Sequence, residues 1–169
     1  TTVSNVAAQF NNGIVLSSGQ GDEELTGRCW HLSSKLDGHP VLGAYNGFVG
    51  TVGNTTSETS TFVLEEGSAD GKWWTADERW FLIRSVNNGF YVTLNSDSPS
   101  GPVSMEPLAS GDDLHRQQFR IIFTATAGWY KFRSRVSSSG DDLVLEIGSD
   151  NRLYARAPQL DPSADQKFA

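Results

Sequence analysis

Cysteine is nearly absent from this chain of 169 residues, which contains only Cys29. A single cysteine cannot build an intrachain disulfide framework, so the fold must depend on its apolar core. No apolar run approaches the roughly 18–20 residues that a membrane-spanning helix needs. The first residues lack the basic and apolar regions of a secretory signal peptide, which leaves the cellular compartment open. We therefore expect a globular chain without a membrane span.

Basic residues are in the minority, with 13 Lys and Arg against 20 Asp and Glu, and the formal net charge is −7. An acidic surface repels phosphate backbones, so we expect no nucleic-acid partner. Charged residues make up 20% of the chain and aromatic residues 11%, unlike a coiled coil or a disordered chain. A domain of this length buries roughly 70% of its surface, enough for a core without disulfides.

Residues arranged for catalysis or metal binding are also lacking. The histidines His31, His39 and His115 show neither metal-ligand spacing nor an HExxH motif. Cys29 has no CxxC partner, and a half-buried structural thiol is the simpler interpretation. The acidic clusters at 111–113, 139–142 and 148–151 match no calcium loop and are typical of turns. The sequence thus predicts no catalytic residues, metal site or cofactor, although a carboxylate pair for glycoside hydrolysis stays open among the 20 acids.

What the sequence does contain is an internal repeat. Trp30, Trp80 and Trp129 are each followed by His, Phe or Tyr and a short strand-like stretch, at separations of 50 and 49 residues. A glycine-containing turn and a second apolar strand follow in each copy, as is typical of β-hairpins. Each copy then closes on a phenylalanine two residues after a polar residue. The closing segments are Ser60-Thr61-Phe62, Gln117-Gln118-Phe119 and Gln166-Lys167-Phe168.

The repeat predicts an all-β fold built from three four-stranded units. One such unit exposes two strand edges and an apolar face, and three units together cover them. We therefore expect a threefold pseudosymmetric barrel closed by hairpins. The Trp–aromatic openings should line the barrel, and the closing phenylalanines should cap its core.

These motifs resemble those of the ricin B-type β-trefoil family, whose repeats end in a Gln-x-Trp motif. Here the second and third copies carry phenylalanine in place of that tryptophan, and the first copy carries serine in place of the glutamine. The resemblance implies a trefoil domain over residues 29–169, with repeats near 29–66, 79–122 and 128–169. Residues 1–28 stay unassigned and are expected to pack on the trefoil.

The resemblance further implies that glycans are the partners, bound at shallow sites in individual repeats. Such a site combines an acid on the second strand, an aromatic and a polar residue after the third, and a polar pair at the closing motif. Charged groups suit sugar hydroxyls, and an aromatic ring suits the apolar sugar face. The third repeat retains most of the pattern, with its acid in place if two extra residues lie in the turn at 137–140. The residues implied for this site are Glu146, Tyr154, Arg156, Asp165 and Gln166.

The other two repeats match the pattern poorly. The first has no acid on its second strand. The second has, at the corresponding positions, Thr93, Ser104, Glu106, Arg116 and Gln117. The motif glutamines Gln117 and Gln166 also have a structural interpretation, in which they hold backbone between repeats. We therefore expect a sugar site in the third repeat alone.

Two classes of function stay open. The first is a lectin or carbohydrate-binding module with its sugar site in the third repeat. The second is a protease inhibitor or other protein-binding trefoil, acting through the loops at 54–60, 96–102 and 109–115. The adjacent Trp73 and Trp74 fit either an exposed recognition patch or the floor of the barrel. Because one fold hosts many functions, the preference for sugar depends on the family resemblance.

Overall fold

The structure, a computed structural model, describes residues 29–34, 40–45, 47–52, 58–67, 80–97, 99, 101–123, 130–138, 141–157 and 168. Short strands dominate these residues. The strands are β1 (Cys29–Trp30), β2 (Leu42–Tyr45), β3 (Phe48–Thr51), β4 (Phe62–Glu66), β5 (Phe81–Ser85), β6 (Tyr91–Thr93), β7 (Ser104–Glu106), β8 (Phe119–Phe123), β9 (Tyr130–Ser138), β10 (Asp141–Ile147) and β11 (Leu153–Arg156). Two short 3-10 helices accompany them, η1 (Glu58–Ser60) and η2 (Gly111–Gln117).

The strands follow the threefold plan of the sequence. The first repeat supplies β1 to β4, the second β5 to β8, and the third β9 to β11 together with Phe168, which forms an isolated bridge with Ser34. The main sheet runs in the order β1-β4-β5-β8-β9-β10-β11, and its neighbouring strands are antiparallel. Hairpins β2–β3 and β6–β7 complete the first two repeats. This arrangement is that of a β-trefoil, as the family resemblance implied.

Each repeat meets the next at its closing phenylalanine. The opposed residues are Phe62 with Ser85, Phe119 with Ser134, and Phe168 with Ser34. All three phenylalanines are fully buried, and the three serines are at most 2% exposed. A small serine side chain leaves space for the ring in a close-packed interior. The expected place of the closing phenylalanines in the core is therefore confirmed.

The rest of the core repeats with the same threefold symmetry. The strand registers align further sets of three buried residues, one from each repeat. The sets are Leu32, Ile83 and Phe132; Leu42, Val92 and Leu145; and Val49, Val103 and Leu153. Each set places three apolar side chains in one cluster, so hydrophobic burial is shared among the repeats.

The three hairpins contact one another directly. The Thr51 amide donates a hydrogen bond to the Asn151 carbonyl oxygen at 2.9 Å, and the Val103 amide donates to the Leu153 carbonyl oxygen at 2.8 Å. A Cβ atom at Gly50 would lie 2.6 Å from the Asn151 carbonyl oxygen, so only glycine permits this approach. The hairpin of the third repeat is thereby held by the other two.

The first repeat is displaced by one residue from the alignment of tryptophans. Trp30 lies opposite Phe62, whereas Phe81, and not Trp80, lies opposite Phe119. Successive residues of a strand point to opposite faces of the sheet. The residue that points inward therefore sets the pairing of the strand, even where the residue before it is a tryptophan. The expectation that the Trp–aromatic openings all line the barrel is therefore wrong for Trp80, which is half-buried, although Trp30 lies in the core at 5% exposure.

The residue of the second repeat that is equivalent to His31 also shifts by one position. It corresponds to Leu82 and not to Phe81, since Trp30 takes the place of Phe81. The His31 ring is 5% exposed, and its Nδ1 atom donates to the Ser60 carbonyl oxygen at 2.9 Å. This contact gives His31 a structural role. Cys29 is an unpaired, half-buried thiol, as expected.

Several sequence features lie outside the described residues. They include residues 1–28, the Trp73–Trp74 pair and Trp129, and what we expect of them stays a prediction. Among the residues that are described, no helix has both the length and the apolarity to cross a membrane.

The closing phenylalanines yield a test of the fold. Because Phe119 is fully buried, Phe119→Ala should lower the free energy of unfolding by about 3–5 kcal/mol through lost burial and a new cavity. Phe90 is 40% exposed, so the control Phe90→Ala should cost about 1 kcal/mol or less. Urea denaturation of both variants measures the difference. Equal losses of unfolding free energy in the two variants would contradict the role of Phe119 in joining the second and third repeats.

Candidate functional site

The residues implied for the third-repeat site lie on the β10–β11 hairpin. Glu146 on β10 pairs with Tyr154 on β11, and the equivalent pair in the second repeat is Thr93 with Ser104. Arg156 follows two residues after Tyr154, and both lie on β11, the third strand of the repeat, and not after it as expected. The hairpin therefore brings Glu146, Tyr154 and Arg156 together.

The hairpin extension in the third repeat differs from the expected one. Arg84 pairs with Tyr91, seven residues later, whereas Arg133 pairs with Val144, eleven residues later. The third repeat is therefore four residues longer here, and not two, and its register shifts at a bulge between Asp142 and Val144. Beyond the bulge, Val144 pairs with Arg133 as Tyr91 pairs with Arg84 in the second repeat. Glu146 consequently keeps the position of Thr93.

Glu146 is a buried carboxylate with a cationic partner. Its side chain is 4% exposed, and its Oε1 atom accepts a hydrogen bond from Arg156 Nη1 at 2.6 Å. A buried charge is costly unless it is paired, so this ion pair is what allows an acid at a position held by glycine and threonine in the other repeats. The Arg156 side chain is 49% exposed. The pair therefore fixes an accessible guanidinium at the surface.

Tyr154 and Asp150 complete the accessible part of this site. The Tyr154 hydroxyl donates to Asp150 Oδ2 at 2.7 Å, and the Arg156 guanidinium carbon lies 4.4 Å from the centre of the Tyr154 ring. The hydrogen bond from Tyr154 lowers the pKa of the Asp150 carboxyl and raises the pKa of the Tyr154 hydroxyl. A Cβ atom at Gly148 would come within 2.5 Å of the Tyr154 ring, so glycine allows the ring its position. The site thus presents one cation and one anion beside an aromatic ring.

Asp150 was not among the residues implied by the sequence. It was interpreted as a turn residue, and its Oδ1 atom does accept the Arg152 amide at 3.2 Å within the β10–β11 turn. The signal that could have found it is its place four residues before Tyr154, because a tight hairpin brings such positions together. Asp165 and Gln166 lie outside the described residues.

The second repeat uses its equivalent residues to hold the chain together. Gln117 is fully buried, and its Nε2 atom donates to Thr93 Oγ1 at 2.9 Å and to the Pro107 carbonyl oxygen at 2.8 Å. Its Oε1 atom accepts the Ala109 amide at 2.9 Å. Gln117 therefore has a structural role, but the prediction that it holds backbone between repeats is wrong, because Pro107 and Ala109 belong to its own repeat.

The neighbouring Gln118 connects all three repeats. Its side-chain amide donates to the Gly67 carbonyl oxygen in the first repeat and accepts Arg135 Nη1 of the third repeat at 2.7 Å. Gln118 is 1% exposed, so both contacts are made away from solvent. The middle residue of the closing motif is thus the one that holds backbone between repeats.

A charged cluster at the surface joins the β6–β7 connection to η2. Asp97 Oδ1 accepts hydrogen bonds from His115 Nε2 at 2.7 Å and from Arg116 Nε at 2.9 Å. Arg116 Nη1 also lies 3.5 Å from Asp113. The hydrogen bonds from Arg116 and His115 lower the pKa of Asp97 to about 2. Arg116 is therefore engaged by carboxylates of its own repeat.

The first repeat carries no acid on its hairpin. Gly43 pairs with Gly50 where Glu146 pairs with Tyr154, and Val52 follows at the position of Arg156. Metal binding finds no support in the described residues, where no three His, Cys, Asp or Glu side chains form a group that could hold an ion. Of the three hairpins, the third alone combines acid, arginine and tyrosine.

Comparisons with known proteins show the fold. No protein-family model matches the chain, and no curated protein matches its sequence. The structure titled BEL beta-trefoil superposes with a TM-score of 0.62 at 15% identity, covering 93% of this chain and 96% of that chain. The Macrolepiota procera ricin B-like lectin in complex with lactose gives a TM-score of 0.59 at 8% identity, covering 85% and 94%.

A larger protein carries the same fold as a part. The Clostridium perfringens endo-β-galactosidase that releases GlcNAcα1-4Gal gives a TM-score of 0.62 at 11% identity and covers 83% of this chain. This chain spans only 31% of that enzyme. The chain is therefore a β-trefoil, and the solved structures that share its fold include ricin B-like lectins.

The Asp97 cluster predicts a pH dependence. Because the pKa of Asp97 is lowered from 3.8 to about 2, its ion pairs stabilise the fold fully above pH 3.8 and lose that effect as the pH falls towards 2. Asp97→Asn removes the charge, so its melting temperature should lie below that of the parent at neutral pH. The difference should shrink between about pH 5 and pH 2. Thermal melts across this range measure it, and a constant difference would contradict the ionised cluster.

Proposed function

We propose that the chain is a carbohydrate-binding β-trefoil of the ricin B-like lectin type, a lectin or a carbohydrate-binding module. Its glycan site lies in the third repeat and comprises Glu146, Tyr154 and Arg156. Asp165 and Gln166 of the closing segment complete the site. The partner is an oligosaccharide or the glycan of a glycoprotein.

The observation that carries this proposal is the difference between equivalent hairpins. Glu146 is held buried at the cost of desolvation, and Arg156 compensates its charge across a 2.6 Å hydrogen bond. The first repeat has glycine at the position of Glu146, and the second has threonine, which Gln117 engages. The three repeats share a core and a strand order, and only the third has an acid at this position. The fold therefore does not require Glu146. A binding role accounts for it.

Each residue of the proposed site has a separate role in recognition. Glu146 is a positioning residue, because its 4% exposed carboxylate orients Arg156 and leaves little surface for a ligand. The Arg156 guanidinium donates to sugar oxygens, and the exposed Asp150 carboxylate accepts from sugar hydroxyls. Tyr154 supports both through its ring and its hydroxyl. A donor and an acceptor side by side suit a vicinal pair of hydroxyls.

The proposal is one of recognition without catalysis. A general acid for glycoside hydrolysis needs a carboxyl with a raised pKa, and the pKa of Asp150 is lowered. Tyr154 already donates to that carboxylate. Asp150 therefore stays ionised at neutral pH, which suits an acceptor of hydroxyl hydrogen bonds.

A glycan array tests the proposal. The parent chain should be retained on at least one class of glycan, and Arg156→Gln should weaken that retention about tenfold or more, because it removes a charge-assisted donor. Glu146→Gln should also weaken it by releasing Arg156, and Asp165→Ala by removing the closing acid. The matched control is Glu106→Gln, which removes an exposed charge at the position that Arg156 occupies in the third repeat.

The outcomes separate the two classes of function. Melting temperatures of the variants distinguish lost binding from lost folding. Unchanged retention of Arg156→Gln, or the absence of any retained glycan for the parent chain, would refute the proposed site. Inhibition of a serine or cysteine protease in a chain that ignores glycans would favour the protein-binding alternative.

A further inference from the structure

A surface recess lies between η2 of the second repeat and β9 of the third. It encloses about 560 Å³ and is lined by Gly111, Asp112, Leu114, His115, Gln118 and Arg135. None of these residues belongs to the β10–β11 hairpin. The recess, called here the η2–β9 groove, is therefore separate from the proposed third-repeat site.

Arg135 is the cation of the groove, and no carboxylate neutralises it within the described part of the chain. Its Nη1 atom donates to Gln118 Oε1 at 2.7 Å, and its guanidinium carbon lies 5.5 Å from the centre of the Trp80 ring. By contrast, several arginines of this acidic chain form ion pairs with carboxylates. They are Arg84, Arg116, Arg133 and Arg156. An exposed guanidinium that forms no ion pair with a described carboxylate complements an anionic ligand.

Gln118 holds Arg135 in a defined position. The Gln118 amide is 1% exposed and is itself fixed to the Gly67 carbonyl oxygen. Its oxygen takes one Nη1 hydrogen of Arg135, and the ring of Trp80 contacts the guanidinium at cation–π distance. Because a guanidinium has five N–H donors, others remain for a ligand. A donor fixed before binding loses less entropy when the ligand arrives.

The η2 side of the groove has the complementary chemistry. Asp112 is exposed and offers a carboxylate that accepts from hydroxyl groups, while Leu114 offers an apolar contact. His115 is held in place by Asp97. A simple anion would be repelled by Asp112, whereas a ligand with both hydroxyls and a carboxylate satisfies Asp112 and Arg135 together. The charges of the groove therefore suit a hydroxylated acid better than a simple anion.

We propose that the η2–β9 groove binds an acidic sugar, with the carboxylate of a uronic acid on Arg135 and a hydroxyl on Asp112. The inference takes its class of ligand from the proposed function, but it uses different residues. If the groove binds no acidic sugar, glycan binding that depends on Arg156 is unaffected. If the third repeat binds no glycan, binding of an acidic sugar in the groove is unaffected. The two proposals are thus separable.

The test compares three probes on the isotope-labelled full chain by NMR. D-galacturonate and D-galactose differ in carrying a carboxylate or a hydroxymethyl group at carbon 6, and acetate supplies a carboxylate without hydroxyls. Galacturonate should shift the amide signals of Gly111, Leu114, Gln118 and Arg135 and bind about tenfold more tightly than either other probe.

Variants assign the effect to single groups. Arg135→Gln should weaken galacturonate binding about tenfold, and Arg135→Lys, which keeps the charge but loses the planar fork, should weaken it less. The matched control Arg133→Gln removes a charge two residues away on the same strand, from an arginine already paired with Asp142. It should leave binding within about twofold, because Arg133 already forms an ion pair with Asp142 and does not line the groove. Asp112→Asn should raise the affinity for acetate relative to galacturonate.

Several results would overturn the proposal. Equal binding of galacturonate and galactose would show that charge is not recognised. Equal binding of acetate and galacturonate would show a simple anion site. Signals that shift around Gly148 and Tyr154 in place of the groove, or no shift at all, would also refute it. If Arg135→Gln fails to give a folded spectrum, Arg135→Lys and Asp112→Asn decide the outcome.

Discussion

Each repeat of this chain joins the next through a buried phenylalanine that lies opposite a buried serine. The pairs Phe62–Ser85, Phe119–Ser134 and Phe168–Ser34 link the second repeat to the first, the third to the second and the first to the third. A single repeat would leave its closing ring in water, so the ring is buried only when the neighbouring repeat supplies its strand. Because one cysteine allows no intrachain disulfide, this mutual burial is the constraint on which the other contacts depend.

A scaffold fixed in this way leaves the hairpins free to differ. The same sheet position holds Gly43, Thr93 and Glu146, and only the last is an acid. Thr93 is engaged by the buried Gln117, so the second repeat uses its position for structure. Glu146 instead orients the accessible Arg156. The pseudosymmetry of the core thus coexists with one hairpin that differs from the other two, and we propose that hairpin for recognition.

The sequence predicted features that depend on local spacing and missed those that depend on distant contacts. The closing phenylalanines of the core follow from strand alternation. The family resemblance implied that Glu146 lies on the second strand of its repeat, and the structure has it there on β10. Trp30 was aligned with Trp80 because the residues are identical, but the inward face of the strand sets the register. Gln118 and Arg135 meet across repeats, and no local pattern indicates that contact.

The three repeats share a fold, and we propose that the third binds the glycan. The most direct test is an NMR map of the isotope-labelled chain titrated with an oligosaccharide retained on the glycan array. If the third repeat binds the glycan, the shifted amide signals should fall within residues 146–156, the β10–β11 hairpin with its turn. Comparable shifts in the equivalent hairpins at 43–52 and 93–106, or shifts there alone, would contradict it.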